Sequence, residues 1–181
     1  MPPDRLRKRI RYLLLFFVVA LIISGVTAFP LKWEVDVLLK RLGPGTFVAS
    51  LWPALSEWLA TVHQGITAVD TQYAFMFYGT DWLAFAHIVI GIAFLGPLRD
   101  PVRNVWIVEW GMICCVLVIP LALIFGPLRG IPLFWRLFDC AFGVFGIVPL
   151  WLVRRDIRQL AALESGQLSH REAGLTPSHV G

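Results

Sequence analysis

Residues 81–103 read DWLAFAHIVIGIAFLGPLRDPVR, an apolar stretch with an acid at its start, a histidine inside it and arginines at its end. About 20 predominantly apolar residues cover the hydrocarbon core of a bilayer, so this stretch predicts a membrane-crossing helix. Asp81 is expected to cap the start of the helix, and the Gly96-Pro97 pair is expected to end it. The two arginines that follow indicate a loop on the cytoplasmic side.

The composition of the whole chain indicates an integral membrane protein. Of its 181 residues, 57% are hydrophobic and only 15% are charged, whereas soluble domains carry about 25% charged residues. Four apolar runs have the length of a membrane span, at residues 12–29, 82–98, 105–125 and 131–153. The predicted fold class is therefore all-α, an integral membrane bundle of four transmembrane helices.

The segment between the first two spans, residues 30–80, carries amphipathic patterns instead of a continuous apolar run. Apolar residues recur at helical spacing over residues 31–42 and again over residues 48–69, with Gly-Pro-Gly between them at 43–45. Pro53 is expected to begin or kink the second helix. We expect one or two amphipathic external helices, which either lie in the membrane interface or cap the bundle.

Basic residues predict the orientation of the chain. With the N-terminus inside, cytoplasmic segments hold eleven Lys and Arg and external segments hold five, as the positive-inside rule requires. This predicts a multi-pass protein of the bacterial cytoplasmic (inner) membrane with both termini cytoplasmic. The net charge of +4 is explained by this asymmetry, and no nucleic-acid partner is predicted. Residues 1–159 are predicted as a single transmembrane domain and residues 160–181 as a flexible cytoplasmic tail.

Five ionisable side chains within or beside the predicted spans are candidates for ligand binding or proton handling. They are Asp81, His87, Glu109, Arg136 and Asp139. Ionisable groups in a bilayer are costly and usually face the interior of a bundle or water. The alternative interpretation is structural, with these groups satisfying one another or the backbone. The third span places Glu109 near the cytoplasmic interface, where it is interpreted as an interfacial acid.

The second and fourth predicted spans each carry a polar stripe beside small residues, which let helices approach closely. At a rise of 1.5 Å per residue, His87 and Asp139 come out at similar depth. We hypothesise that His87 pairs with Asp139, while Arg136 neutralises Asp81 or Asp139. In the structural alternative Arg136 and Asp139 pair with each other, and His87 bonds a backbone carbonyl.

The sequence carries no HExxH, P-loop, GxSxG or GxGxxG motif. Haem held by two intramembrane histidines would need a second histidine beside His87, and the spans contain none. No metal site is predicted and no cofactor is assigned. The three cysteines fall inside apolar spans without CxxC spacing and are interpreted as buried, inert thiols.

Size, the lack of a catalytic motif and an aromatic-rich insert favour a non-catalytic accessory or assembly subunit of a larger bacterial membrane complex over an enzyme. Its expected partners are the lipid bilayer and either other protein subunits or further copies of itself. The alternative is a small oligomeric transporter or proton-coupled permease that uses the intramembrane Asp/His/Arg cluster. An intramembrane enzyme that uses His87, Asp139 and Cys140 is the third and least supported class.

Overall fold

The computed structural model describes residues 1–175 of the chain and the side chains of residues 1–166. This part of the chain is helical and contains no strand, which confirms the all-α prediction. The helices follow one another as α1 (Pro3–Val26), α2 (Leu31–Leu42), α3 (Phe47–Leu51), α4 (Pro53–Gln72), a 3₁₀ turn (Ala74–Phe77), α5 (Tyr78–Ala93), α6 (Leu95–Arg99), α7 (Val105–Leu128) and α8 (Leu133–Leu175).

Four helical stretches of the described chain are long and apolar enough to cross a membrane, at Pro3–Val26, Ala74–Arg99, Val105–Leu128 and Leu133–Gly166. They coincide with the four apolar runs in the sequence and confirm that prediction. Only 17% to 22% of the residues in their most apolar windows are buried within the protein. The other apolar side chains therefore need lipid or another protein around them, because exposing an apolar surface of this extent to water is energetically unfavourable.

The ends of the second spanning stretch differ from the prediction. Asp81 does not cap a helix, because it lies within the first turn of α5. Its negative charge there interacts favourably with the positive end of the helix dipole. The Gly96-Pro97 pair does not end a helix either: α5 ends at Ala93, and the pair lies within α6. A proline is tolerated there because the first N–H groups of a helix have no acceptor within that helix.

The segment between the first two spans forms the helices that its apolar spacing predicted. α2 covers residues 31–42 and is followed by its C-terminal cap Gly43, whose N–H donates to the Leu39 carbonyl. Thr46 caps α3 by accepting a hydrogen bond from the N–H of Ala49. Pro53 begins α4 as its first residue and does not kink it, because a first-turn proline has no intrahelical bond to lose.

The described chain divides into two compact units. The first, which we call the α7–α8 unit, contains residues 1–18 and the chain from residue 93 onward. The second, which we call the insert unit, contains residues 19–92, and α2 packs along α4 within it. α1 contributes its first part to the α7–α8 unit and its last part to the insert unit. The single transmembrane domain expected from the sequence stays a prediction.

In the α7–α8 unit the two long helices pack against each other at glycines. A Cβ atom on Gly143 of α8 would collide with the carbonyl oxygen of Cys115 on α7, and one on Gly146 would meet the Cys115 sulfur. Glycine therefore allows the two backbones to approach closely. The face of α8 that carries these glycines was expected to meet a neighbouring helix, and it meets α7.

α8 continues as a helix through residues where the sequence predicted a flexible tail. The buried face of the helix, formed by Leu150, Val153 and Ile157, extends to Leu160, which is also fully buried. One turn further on, Glu164 pairs with Arg7 of α1. These contacts give residues 160–164 a packed environment that a solvated tail lacks. The end of the predicted tail, residues 176–181, lies outside the described residues.

Candidate functional site

His87 lies on α5 and packs against α1 within the insert unit. Its Nδ1 donates a hydrogen bond to the carbonyl oxygen of Leu83, 2.8 Å away. A Cβ atom on Gly25 of α1 would collide with the His87 side chain, so the two helices meet closely here. Because a carbonyl only accepts, Nδ1 carries the proton and Nε2 is the acceptor in the neutral ring. His87 thus bonds a backbone carbonyl, as the structural alternative expected.

Arg136 and Asp139 lie on α8, and no ion pair joins them. The aliphatic part of Arg136 packs on Gly126 of α7, so the side chain extends toward the neighbouring helix and not along its own. Its Nε is buried and has no hydrogen-bond partner among the described residues of this unit. The Arg136–Asp139 pair expected from the one-turn spacing is therefore not formed.

The other predicted pairs would join the two units. Asp81 and His87 belong to the insert unit, whereas Arg136 and Asp139 belong to the α7–α8 unit. The pairing of His87 with Asp139, and of Arg136 with Asp81, stays a prediction. What the structure adds is the helix that each polar stripe contacts in its own unit, α1 for the stripe of α5 and α7 for the stripe of α8.

Glu109 is the candidate residue for which the structure provides charged partners. The Nε atom of Arg154 donates to its Oε1 at 2.6 Å, and the Nη2 atom of Arg158 lies 3.7 Å from the same oxygen. Glu109 is on α7 and both arginines are on α8, so these ion pairs join two helices. The residue interpreted as an interfacial acid is part of a bridge between helices.

A second ion-pair centre in the same region is Asp156, whose side chain is only 1% exposed. The Nε atom of Arg9, on α1, lies 3.2 Å from its Oδ2. This contact lacks the alignment of a hydrogen bond and is Coulombic. Arg155 donates from Nη2 to Oδ1 at 3.3 Å. A buried carboxylate requires such partners, because an unpaired buried charge is strongly unfavourable.

Sequence reasoning missed this centre because it used the arginines only as markers of orientation. Asp156 is three residues after Val153 and four before Leu160, and both of those residues are buried. That spacing places the acid on the apolar face of the helix. An acid on an apolar helix face, surrounded by arginines in sequence, is the signal that could have identified it.

The insert unit holds a separate charged group that ties α2 to α4. The Nζ atom of Lys32 donates to both carboxylate oxygens of Asp36, at 3.1 and 3.3 Å. From α4, the Nε2 atom of His63 lies 2.9 Å from Oδ1 of Asp36. The hydrogen bond from Lys32 lowers the pKa of Asp36, desolvation opposes this effect, and the bond from His63 adds to it. The carboxylate is therefore held ionised between the two helices.

Among the residues with described side chains, no group of three or more His, Cys, Asp or Glu is placed to hold a metal ion. The three cysteines are free thiols. Comparison with protein-family models, with curated proteins and with solved structures found no match.

Proposed function

We propose that this chain is a small membrane protein of the bacterial inner membrane that acts as a non-catalytic accessory or assembly subunit of a larger membrane complex. In this proposal both termini are cytoplasmic, the spans form a four-helix bundle, and helices α2 to α4 lie on the external face. The insert then contacts a partner subunit or a further copy of the chain. The observation that carries the proposal is a second apolar face on α2.

α2 has apolar side chains on two opposite sides. Val35, on the first side, is only 6% exposed in the insert unit. Trp33 and Val37 lie one turn apart on the other side, and they are 66% and 36% exposed. α3 has a similar exposed pair, in which Phe47 is 77% and Leu51 is 70% exposed. These residues form what we call the aromatic edge of the insert.

The aromatic edge belongs to a folded module. Ser56 and Leu59 of α4 are buried, at 2% and 3% exposure, and Asp36 joins α2 to α4 through His63. The edge is thus exposed on helices that pack against each other. Large exposed apolar residues on a folded surface mark interaction sites, and tryptophan in particular is enriched where partners contribute most binding energy.

The distribution of basic residues supports the proposed orientation. The head of the chain, before the apolar part of α1, holds five Lys and Arg, and Arg154, Arg155 and Arg158 follow the apolar part of α8. The segment 30–80 holds three. The positive-inside rule then assigns the insert to the opposite side from both ends of the chain.

Isolation from native membranes in a mild nonionic detergent tests the proposal. We expect the native chain to elute with a partner at fixed stoichiometry, identified by mass spectrometry. The double variant Trp33→Ser, Phe47→Ser should retain at least tenfold less partner, because it removes two apolar anchors. The matched control Glu57→Ser, Gln64→Ser changes two exposed polar residues of α4 and should retain the partner.

Two results would contradict this function. A native chain that elutes as a stable, partner-free monomer would contradict an accessory role. Equal partner retention by the aromatic-edge variant and its control would contradict docking through the insert. If the edge inserts only into lipid, the variant changes the membrane affinity of the insert and leaves the composition of the complex unchanged.

The alternative, a small oligomeric transporter or proton-coupled permease, has one specific observation in its favour. Within the described residues of its unit, the buried Nε of Arg136 has no hydrogen-bond partner, and such a group is suited to an anionic ligand. In that case acid-dependent uptake into vesicles should be abolished by His87→Ala. Uptake equal to that of empty vesicles would contradict this alternative.

A further inference from the structure

Two grooves of the α7–α8 unit meet at Arg154. The first has a volume of about 400 Å³ and follows one face of α8, lined by Trp151, Arg154, Arg155, Arg158, Gln159 and Ala162. The second has a volume of about 490 Å³ and lies between α7 and α8, with Glu109 and Arg154 at one end. Its other lining residues are Met112, Ile113, Val116, Leu117 and Ile147. The first groove, lined mostly by arginine and glutamine side chains and called the polar groove, thus shares Arg154 with the second, which is lined mostly by apolar side chains and called the apolar groove.

The polar groove carries excess positive charge. Glu109 is shared by Arg154 and Arg158, and Asp156 is shared by Arg155 and by Arg9 of α1. Four guanidinium groups therefore face two carboxylates. The side chains of Arg155 and Arg158 are 43% and 63% exposed and retain N–H donors for an anion. Guanidinium groups bind phosphate oxygens in a planar, bidentate geometry.

Trp151 places the polar groove at the boundary of the apolar span. The guanidinium carbon of Arg155 lies 5.6 Å from the centre of the Trp151 ring, which holds the arginine at this level. Tryptophan is enriched where a membrane span meets the headgroup region. The anion that reaches these arginines most directly is therefore one that lies at the membrane surface.

The apolar groove extends from the arginines into the span. Leu117 follows Glu109 by two turns of α7, about 12 Å along the helix at 1.5 Å per residue. Ile113 and Leu117 are 56% and 57% exposed, and Ile147 of α8 faces the same groove. The side chains of Ile113, Leu117 and Ile147 have no hydrogen-bonding atom. A hydrocarbon chain suits this groove, and a hydrated ion does not.

We propose that the two grooves together form a binding site for one anionic glycerophospholipid. The phosphate group binds Arg154, Arg155 and Arg158, and one acyl chain lies between α7 and α8 along Ile113 and Leu117. Binding is expected to favour anionic over zwitterionic lipid, because the site has net positive charge and the arginines outnumber the acids. The lipid site is independent of the partner subunit proposed above, since only residues of the α7–α8 unit form it.

Native mass spectrometry of the full chain in a nonionic detergent tests this site. The probes are phosphatidylglycerol, phosphatidylcholine and inorganic phosphate, each titrated separately. We expect one phosphatidylglycerol per chain, bound at least tenfold more tightly than phosphatidylcholine. Arg155→Gln with Arg158→Gln should weaken phosphatidylglycerol binding about thirtyfold, because each arginine near an anionic headgroup contributes about one kilocalorie per mole.

Two matched controls separate the site from general charge and apolarity. Arg5→Gln with Arg11→Gln removes the same charge from exposed arginines of α1 that form no ion pair in the described chain, and the affinity should change less than twofold. Val116→Trp fills the apolar groove and should weaken lipid binding about tenfold. Leu121→Trp, at an exposed residue of α7 outside the groove, should leave binding unchanged.

Three outcomes would overturn the proposal. One is equal affinity for phosphatidylglycerol and phosphatidylcholine. Another is equal loss of affinity in the two double arginine variants. The third is inorganic phosphate binding as tightly as phosphatidylglycerol and insensitive to Val116→Trp, which would identify a free anion as the ligand. A variant that no longer folds is recognised by its circular dichroism, and Arg158→Gln alone, at the most exposed of the three arginines, then serves as the test.

Discussion

Arginine and aspartate occur near both ends of the apolar part of α8, but within the described residues of the α7–α8 unit they form ion pairs with other helices at only one of them. Near its start, Arg136 and Asp139 lie one turn apart and form no ion pair with each other. Near the end of its apolar part, Arg154 pairs with Glu109 of α7, and Asp156 with Arg9 of α1. At the first end, a spacing of one turn along the helix did not produce an ion pair. At the second end, each of these charged residues has an oppositely charged partner on another helix.

The difference shows that the neighbouring helix decides what a charged residue does. At the start of α8 the neighbour presents Gly126, so that Arg136 packs its aliphatic part there. At the other end the neighbours present Glu109 and Arg9. The first arrangement contributes packing and leaves a buried Nε without a partner, whereas the second joins three helices.

Replacing the acid at each end tests this difference most strongly. Asp156→Ala should lower the free energy of unfolding by about 3 kcal/mol, because it leaves Arg9 beside a buried site without its acid. Asp139→Ala should change it by less than about 0.5 kcal/mol, because no ion pair is lost. The measurement is reversible unfolding of both variants in mixed micelles by addition of denaturing detergent.

Asp4→Ala, at an exposed acid of α1 that forms no ion pair in the described chain, controls for removal of a carboxylate. Equal destabilisation by Asp156→Ala and Asp139→Ala would show that the ion pairs at the second end do not stabilise the fold.

The glycine contact between α7 and α8 holds the helices at the spacing that the ion pairs need. Gly143→Ala should lower the free energy of unfolding by about 2 kcal/mol, because the new methyl group collides with the Cys115 carbonyl. The helices must separate to relieve the collision. Thermal unfolding in detergent measures the effect.

Gly166→Ala is the matched control on the same helix. No heavy atom lies within contact distance of a Cβ atom there, and alanine is a better helix former than glycine by about 1 kcal/mol. That variant should be as stable as the native protein or slightly more so. If Gly143→Ala behaved in the same way, the close contact with Cys115 would be excluded.

Removing the charge of Glu109 should destabilise the protein less than Asp156→Ala or Gly143→Ala does. It should strengthen lipid binding, which the arginine variants weaken. Glu109→Gln is expected to lower the free energy of unfolding by about 1 kcal/mol, because Arg154 and Arg158 lose a half-exposed partner. The same change removes a negative charge beside the polar groove and should tighten phosphatidylglycerol binding about threefold. Unfolding in detergent and native mass spectrometry measure the two quantities.

A double-mutant cycle with Arg154→Gln isolates the pair itself. We expect a coupling free energy of about 0.5 to 1 kcal/mol, since the two side chains are in direct contact. Additive effects of the two substitutions would indicate that the 2.6 Å contact contributes nothing, and would limit the role of Glu109 to its charge.

The smallest expected effect concerns the charged group of the insert, and it depends on pH. The pKa of Asp36 is lowered from its ordinary value of 3.8, so the ionised carboxylate stabilises the folded insert. That contribution is present above the ordinary value and is lost as the pH falls through the lowered pKa. The protection of the α2 and α4 amides, measured as the ratio of the intrinsic to the observed exchange rate at each pH, should therefore fall below about pH 4, and Asp36→Asn should abolish this acid step.

Asp70→Asn, at an exposed acid of α4, should leave the acid step in place. If the native protein and Asp36→Asn showed the same dependence of exchange on pH, Asp36 would not be the group that responds.

Helix positions could be predicted from the sequence where they depend only on neighbouring residues. The 31–42 helix followed from its apolar spacing, and Pro53 was correctly expected at the start of α4 as one of two possibilities. The Gly96-Pro97 stop was wrong, because a proline that ends one helix is also compatible with the first turn of the next. Asp81 was placed at the correct end of its helix, but it is the fourth residue of α5, which begins at Tyr78, and not its cap.

The candidate site was predictable only as a set of residues. All five candidates could be selected from their positions in apolar runs, yet the choice of partner for each could not be made from spacing. The partners of Glu109 are Arg154 and Arg158 of α8. In the sequence these arginines indicated only the orientation of the chain in the membrane. Asp156 was not selected at all, because it follows the predicted span and charged residues there are usually solvated.

The sequence by itself determined the all-helical character of the described chain and the four stretches able to cross a membrane, since both depend on runs of neighbouring residues. Only the tertiary structure decided that Glu109 and Asp156 bridge helices, that His87 packs on Gly25, and that Arg136 packs on Gly126. The physical reason is that such contacts depend on the rotation and depth of one helix relative to another. Neither quantity is encoded in the spacing of residues along a single helix.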